Sequence, residues 1–161
     1  MKLVLSVLLS LLAVLPFHLS AQSVWTVGST YPVDDSQSVV SRPSVTMRWD
    51  SPLPRPGHPD TATGQLLVDV VLDVSEFRGR SGKIYMKLPT QPFGRVLTSW
   101  QSRRSLLAPG QLRDGERALV WSGTITTDRL TDGLLLSISV DGNQLWRTEQ
   151  LHYSFEIEIT Q

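Results

Sequence analysis

Cysteine is absent from all 161 residues, which removes disulfides, thiol catalysis and cysteine-based metal sites together. Stability must then come from packing and strand pairing. No charge sign dominates, with 15 basic residues against 15 acidic ones, so the basic footprint of a nucleic-acid binder is missing and no nucleic-acid partner is expected. Helical patterning is equally scarce. Nowhere do apolar residues recur at three-and-four spacing for three turns without a breaker. Repeats at solenoid or propeller periods are absent as well. Beyond the N-terminal segment only His58 and His152 remain. Neither stands beside a Gly-x-Ser-x-Gly elbow, and two isolated histidines without cysteine do not make a zinc site. The pairs Asp34/Asp35 and Glu156/Glu158 lack a calcium-loop pattern. The residues therefore point away from an enzyme, with no catalytic, cofactor-binding or metal-binding positions to name.

Long hydrophobic runs are also missing. The most apolar stretch, Leu3 to Phe17, is about 15 residues, too short to cross about 30 Å of hydrocarbon as a helix. It follows Lys2 and precedes the small-residue stretch Leu19-Ser20-Ala21. That order reads as a secretory signal peptide over residues 1–21, cleaved after Ala21. No cysteine follows to take a lipid, so neither a transmembrane nor a lipid anchor is expected. Residues 22–161 have the size of one domain.

What the chain does contain is strand signal. Its apolar segments are short, rich in Val, Ile, Leu, Trp and Thr, and bounded by Gly, Pro, Asp or Asn. Trp25, Val27, Tyr31 and Val33 share one parity of the first segment, and Val45, Met47 and Trp49 share another. Gln65 to Val74 reads as a central strand. In Gly82 to Leu88, Ile84, Met86 and Leu88 alternate with Lys83, Tyr85 and Lys87. Arg95 to Trp100 is a weaker strand. Leu119, Trp121 and Ile125 are expected on one face of Ala118 to Thr127. Leu134 to Val140 leads into Asp141-Gly142-Asn143, a hairpin turn with Gln144 to Thr148 across it. Tyr153, Phe155, Ile157 and Ile159 point one way from the last strand. Residues 51–60 hold four prolines and form a stiff connection. Eight or nine strands exceed one open sheet. An all-β, immunoglobulin-like sandwich is the expected fold, with Trp49, Trp100 and Trp121 in its core.

Short motif matches do not add chemistry. His58-Pro59-Asp60 matches the co-chaperone J-domain tripeptide but is embedded in prolines instead of lying between helices. Ser81-Gly82-Lys83 lacks the upstream Gly and downstream Ser or Thr of a phosphate-binding loop, and Phe77 and Ile84 stand there. Arg103 and Arg104, near Arg113 and Arg117, suggest a basic patch, but Asp114 and Glu116 between them suggest a mixed surface.

Between Ala21 and the first core strand at Ser44 lies an extra segment, residues 22–43, with no obvious partner in its own domain. It resembles the N-terminal extension of chaperone-usher fimbrial subunits, which are exported immunoglobulin-like domains lacking one strand. The likeness is to the cysteine-free pilins of the pH 6 antigen and coli surface antigen types. It implies that Trp25, Val27, Tyr31 and Val33 fill pockets of a neighbouring subunit, with Gly28 and Ser29 letting the backbones approach. It also implies that the strand of Tyr153, Phe155, Ile157 and Ile159 pairs with a periplasmic assembly chaperone before passage through an outer-membrane usher. On this resemblance residues 44–161 form the sandwich of a structural or adhesive fimbrial subunit, whose partners are its neighbours and possible host surface receptors. The cysteine pair of type 1 and P pilins has no counterpart here. Two other readings stay open: residues 22–43 form this domain's own first strand and loop, or the chain is a self-contained periplasmic binding or inhibitor protein.

Overall fold

The computed structural model describes residues 29–42, 44–50, 61–92, 95–141 and 151–160. The calls on Trp25, Val27 and Gly28, on residues 51–60 and on the hairpin beyond Asp141 lie outside those residues. Two long strands form the spine of one sheet, β4 (Thr61–Asp73) and β9 (Arg129–Asp141). They pair antiparallel over their whole length, from Thr61 opposite Asp141 to Asp73 opposite Arg129. Both are longer than the apolar runs within them, because the ladder continues through Thr, Asp and Arg at their ends. The short strands β2 (Val39–Val40) and β3 (Arg48–Trp49) both join β4. On the other side of β9 lie β6 (Val96–Ser102) and β7 (Gly110–Arg113).

The second sheet runs in the order β1 (Ser29–Val33), β10 (Ser154–Thr160), β5 (Ser81–Lys87), β8 (Arg117–Thr124). Among the described residues the single helical element is a 3-10 turn at Ser75–Phe77, in line with the low helix content expected. Directly opposed residues share a face, and Phe155, Ile157 and Ile159 stand opposite Met86, Ile84 and Gly82. Apart from Gly82 and its missing side chain, all of these are at most 6% exposed. Together with Leu134, Leu136, Ile138, Val140, Val96, Trp100 and Leu112 from the other sheet they form one core. Burying a side chain such as Ile157 contributes about 2 kcal/mol each. The all-β sandwich expected from the sequence is what forms.

Three expectations are corrected. Trp49 is 52% exposed, because β3 contributes two residues at the margin of β4 and nothing described covers it. Leu119 is 45% exposed while Val120 is fully buried. A bulge causes this: Tyr85 opposes Leu119 and Ile84 opposes Trp121, leaving Val120 as an extra residue that reverses the inward phase of β8. Trp121 itself packs partly buried against the core, and Trp100 is buried as expected. The described part of residues 22–43 does have partners in its own domain: β1 pairs antiparallel with β10, from Ser29 opposite Ile159 to Val33 opposite Phe155, and β2 pairs with β4. Those partners lie more than a hundred residues downstream for β1, beyond the reach of local pattern.

Candidate functional site

The inward row of β9 reads Leu130, Asp132, Leu134, Leu136, and the carboxylate in it is 1% exposed. A buried charge is costly unless every lone pair is used. Here Oδ2 accepts from Ser102 Oγ at 2.6 Å, Leu106 N–H at 3.0 Å and Leu107 N–H at 2.8 Å. Oδ1 accepts from Arg104 N–H at 3.0 Å and Gly133 N–H at 2.7 Å. Burial pushes the Asp132 pKa up, but the bonds from Ser102, Leu107, Arg104 and Gly133 outweigh it and hold the carboxyl below its ordinary value. The group is a fastener for the loop at 103–109, with no lone pair left for chemistry.

That loop is held tightly enough to carry strain. Ser105 sits at φ 59°, a left-handed conformation unusual for a residue with a Cβ. It is flanked by Arg104 and Leu106, whose N–H groups both reach Asp132. Leu107 is buried, and Leu106 is turned out and 38% exposed. The loop then crosses to the other sheet: Trp100 Nε1–H donates to Ala108 O at 2.8 Å, and Ala108 N–H donates to Val120 O at 2.6 Å. Between the loop and β8 lies an open groove of about 610 Å³ whose walls include Ser105, Leu106, Pro109, Trp121 and Ser122.

The described ones among the residues singled out in the sequence gather at the opposite edge of the same sheet as β8. Ser29, Tyr31 and Val33 lie on the inward side of β1, opposite Ile159, Ile157 and Phe155. Their seat is shallow: Val33 is 6% exposed and Tyr31 40%, its ring tilted against Phe77 at 5.6 Å. Phe155, Ile157 and Ile159 are buried in β10 between β1 and β5. Tyr153 precedes that strand and joins the two sheets, its hydroxyl 2.7 Å from that of Thr98, which is fully buried. Burial raises the Tyr153 pKa, only partly opposed by the Thr98 bond.

The outer faces differ in character. On the β5, β8 and β10 face, Glu156 binds Arg117 at 2.6 Å and approaches Lys87 at 4.0 Å, while Glu158 lies 3.7 Å from Arg117. The Arg117 guanidinium covers the Tyr85 ring at 4.3 Å. This is a mixed, solvated surface, so Arg117 does not join Arg103 and Arg104 in a patch. Asp34 and Asp73, paired across an isolated bridge, each cap a turn by accepting from Ser36 and Ser75. Those bonds hold both carboxyls below their ordinary value. On the other sheet, Thr63, Gln65, Ser99, Ser137 and Ser139 line a second open groove of about 740 Å³. Among the described residues, no three His, Cys, Asp or Glu side chains gather as for a metal ion, and no helix is long and apolar enough to cross a membrane.

The fold and these two edges define an all-β sandwich whose distinctive parts are strand edges and grooves. Compared with known proteins, the chain matches no family model, and no curated protein resembles it in sequence. Sequence reasoning missed Asp132 and the groove it organises. A signal was present, a lone acid on the apolar parity of Leu130 to Val140.

Proposed function

We propose that the chain is an exported, non-catalytic β-sandwich that completes its own fold and works by binding a partner. One observation carries this reading: Ser29–Val33 occupies the free edge of β10 in the same chain, over five paired residues. An immunoglobulin-like domain lacking a strand would leave that edge open to aggregation. Export is the meaning given to residues 1–21, with no membrane anchor in the mature chain. The test is the state of the protein recovered from the periplasm of an expressing bacterium. A folded monomer by light scattering, with no assembly chaperone supplied, is expected; a chain that is recovered only as aggregate overturns the reading.

A second reading is favoured by the shallow seat of β1, whose residues other than Val33 are all exposed. In it the chain is a structural or adhesive subunit of a surface fimbria. Ser29–Val33 leaves β10 and the extension 22–43 donates to a neighbouring subunit, a periplasmic chaperone and an outer-membrane usher handle assembly, and a host receptor is the ligand of any adhesive role. A chaperone and usher encoded beside this gene, and polymerisation lost on deleting residues 22–43, are what it requires.

A further inference from the structure

The outer faces of the two sheets meet solvent with different chemistry. On the β5, β8 and β10 face, Arg117 and Lys87 pair with Glu156 and Glu158. Across the middle of the other sheet the outward side chains are mostly hydroxyls and an amide. Thr63 and Gln65 of β4 stand opposite Ser139 and Ser137 of β9, which in turn stand opposite Leu97 and Ser99 of β6. The serines are the smallest of these, so they floor the open groove of about 740 Å³, with Arg48 of β3 at its margin. Crossing from β3 to β6 takes three strand steps, a width of about 14 Å, and residues of one face lie about 7 Å apart along each strand. Hydrogen-bonding capacity is unspent here. Among the described residues the side chains of Gln65, Ser99, Ser137 and Ser139 have no partner within the protein, whereas other strand hydroxyls are committed, Ser81 to Thr124 and Ser102 to Asp132. Thr63 Oγ1 donates to Asp50 Oδ1 at 2.9 Å, which fixes that hydroxyl as an acceptor for whatever enters the groove.

We infer that the groove across β4, β9 and β6 binds a short neutral oligosaccharide. The lining selects this ligand over the other classes. An extended peptide has no ladder to join, because β4, β9 and β6 are each paired on both sides. A polyanion meets one guanidinium, Arg48, among the described lining residues, and an apolar ligand meets one exposed apolar side chain, Leu97. A sugar matches what is there. Each of its hydroxyls both donates and accepts, so it takes over the bonds that water makes to Gln65, Ser99, Ser137 and Ser139. Arg48 adds a donor at the margin, and the C–H edge of a pyranose ring packs on Leu97. The inference rests on the reading of the chain as a self-contained binding protein and names the class of ligand.

The test uses the isotope-labelled chain recovered from the periplasm, with three probes: cellotriose, maltotriose and trigalacturonate. At least one of the two neutral sugars is expected to give saturable shifts, in the millimolar range or tighter, at the amides of residues 63–65, 97–99 and 137–139. Ser137→Ala should weaken that sugar about fivefold, the size of one lost hydrogen bond. Ser137→Leu, which fills the floor from an outward position and leaves the core untouched, should abolish the response while the remaining amide shifts stay in place. Ser122→Ala, on the outer face of the other sheet, should change nothing. Absence of saturable shifts with both neutral sugars, a response to trigalacturonate alone, or a response that survives Ser137→Leu overturns the inference. Translational diffusion of the same samples reads the underlying proposal separately: a monomer without shifts removes the sugar site alone, whereas a strand-exchanged oligomer removes the self-contained domain.

Discussion

Replacing Asp132 with asparagine keeps shape and volume but turns one carboxylate oxygen into a donor. Asp132 accepts three bonds on Oδ2 and two on Oδ1. The best orientation of the amide points its oxygen at Ser102, Leu106 and Leu107, and its NH₂ then faces the N–H groups of Arg104 and Gly133. Each buried donor left without an acceptor costs about 1–3 kcal/mol, and the remaining bonds lose their charge assistance. The sum is about 3–5 kcal/mol, a large share of a stability of about 5–15 kcal/mol. In a domain of this size that lowers Tm by about 10 °C or more. Thermal unfolding by circular dichroism measures the loss, and amide exchange at residues 104–107 should accelerate beyond the global change. The pH profile gives an independent check. A carboxyl held below its ordinary 3.8 contributes stability that is present above about pH 4 and is lost as pH falls through its folded value. The gap between the wild-type chain and Asp132→Asn should therefore be full at pH 7 and shrink in acid. A loss under about 1 kcal/mol at pH 7, or a gap that stays constant into acid, refutes the assignment of Asp132 as the fastener of the loop.

Removing the Tyr153 hydroxyl with Tyr153→Phe strands the buried Thr98 hydroxyl and should cost about 1–2 kcal/mol in urea unfolding. Adding a methyl at Gly110→Ala places a Cβ 2.7 Å from Trp100 Cζ2, and the displaced indole should cost about 1–3 kcal/mol and shift the tryptophan emission. By contrast, Glu156→Gln breaks an ion pair with Arg117 on an open sheet face and should change stability by less than about 1 kcal/mol, a difference that shrinks further as salt is added.

The segments legible in the sequence were those whose two faces differ in chemistry. Ile84, Met86 and Leu88 against Lys83 and Lys87, and Phe155, Ile157 and Ile159 against Glu156 and Glu158, could be phased from alternation alone. β8 could not, because its bulge inserts Val120 and the pattern Leu119, Trp121 looks like an uninterrupted period of two. Trp49 was misplaced because an aromatic on a two-residue marginal strand carries the same local signal as one in the core. The partner of β1 depended on chain closure over the whole domain, which no local window contains. The Asp132 site combined a single polar residue in an apolar row with backbone donors from a loop some 25–28 residues upstream in sequence. Only the first half of that combination was visible.

Whether β1 pairs within its own chain can be read directly, because the protein offers no thiols of its own. Thr30 stands opposite Glu158 on the outer face of the β1–β10 pair, at the close Cα spacing of antiparallel neighbours, which suits a disulfide. The double variant Thr30→Cys/Glu158→Cys, oxidised at low concentration and run without reductant, should migrate as a crosslinked monomer. Equal mixtures of the two single variants should give almost no heterodimer. A ladder of linked chains from the double variant, or efficient heterodimer from the mixture, would contradict a sandwich that supplies its own edge strand.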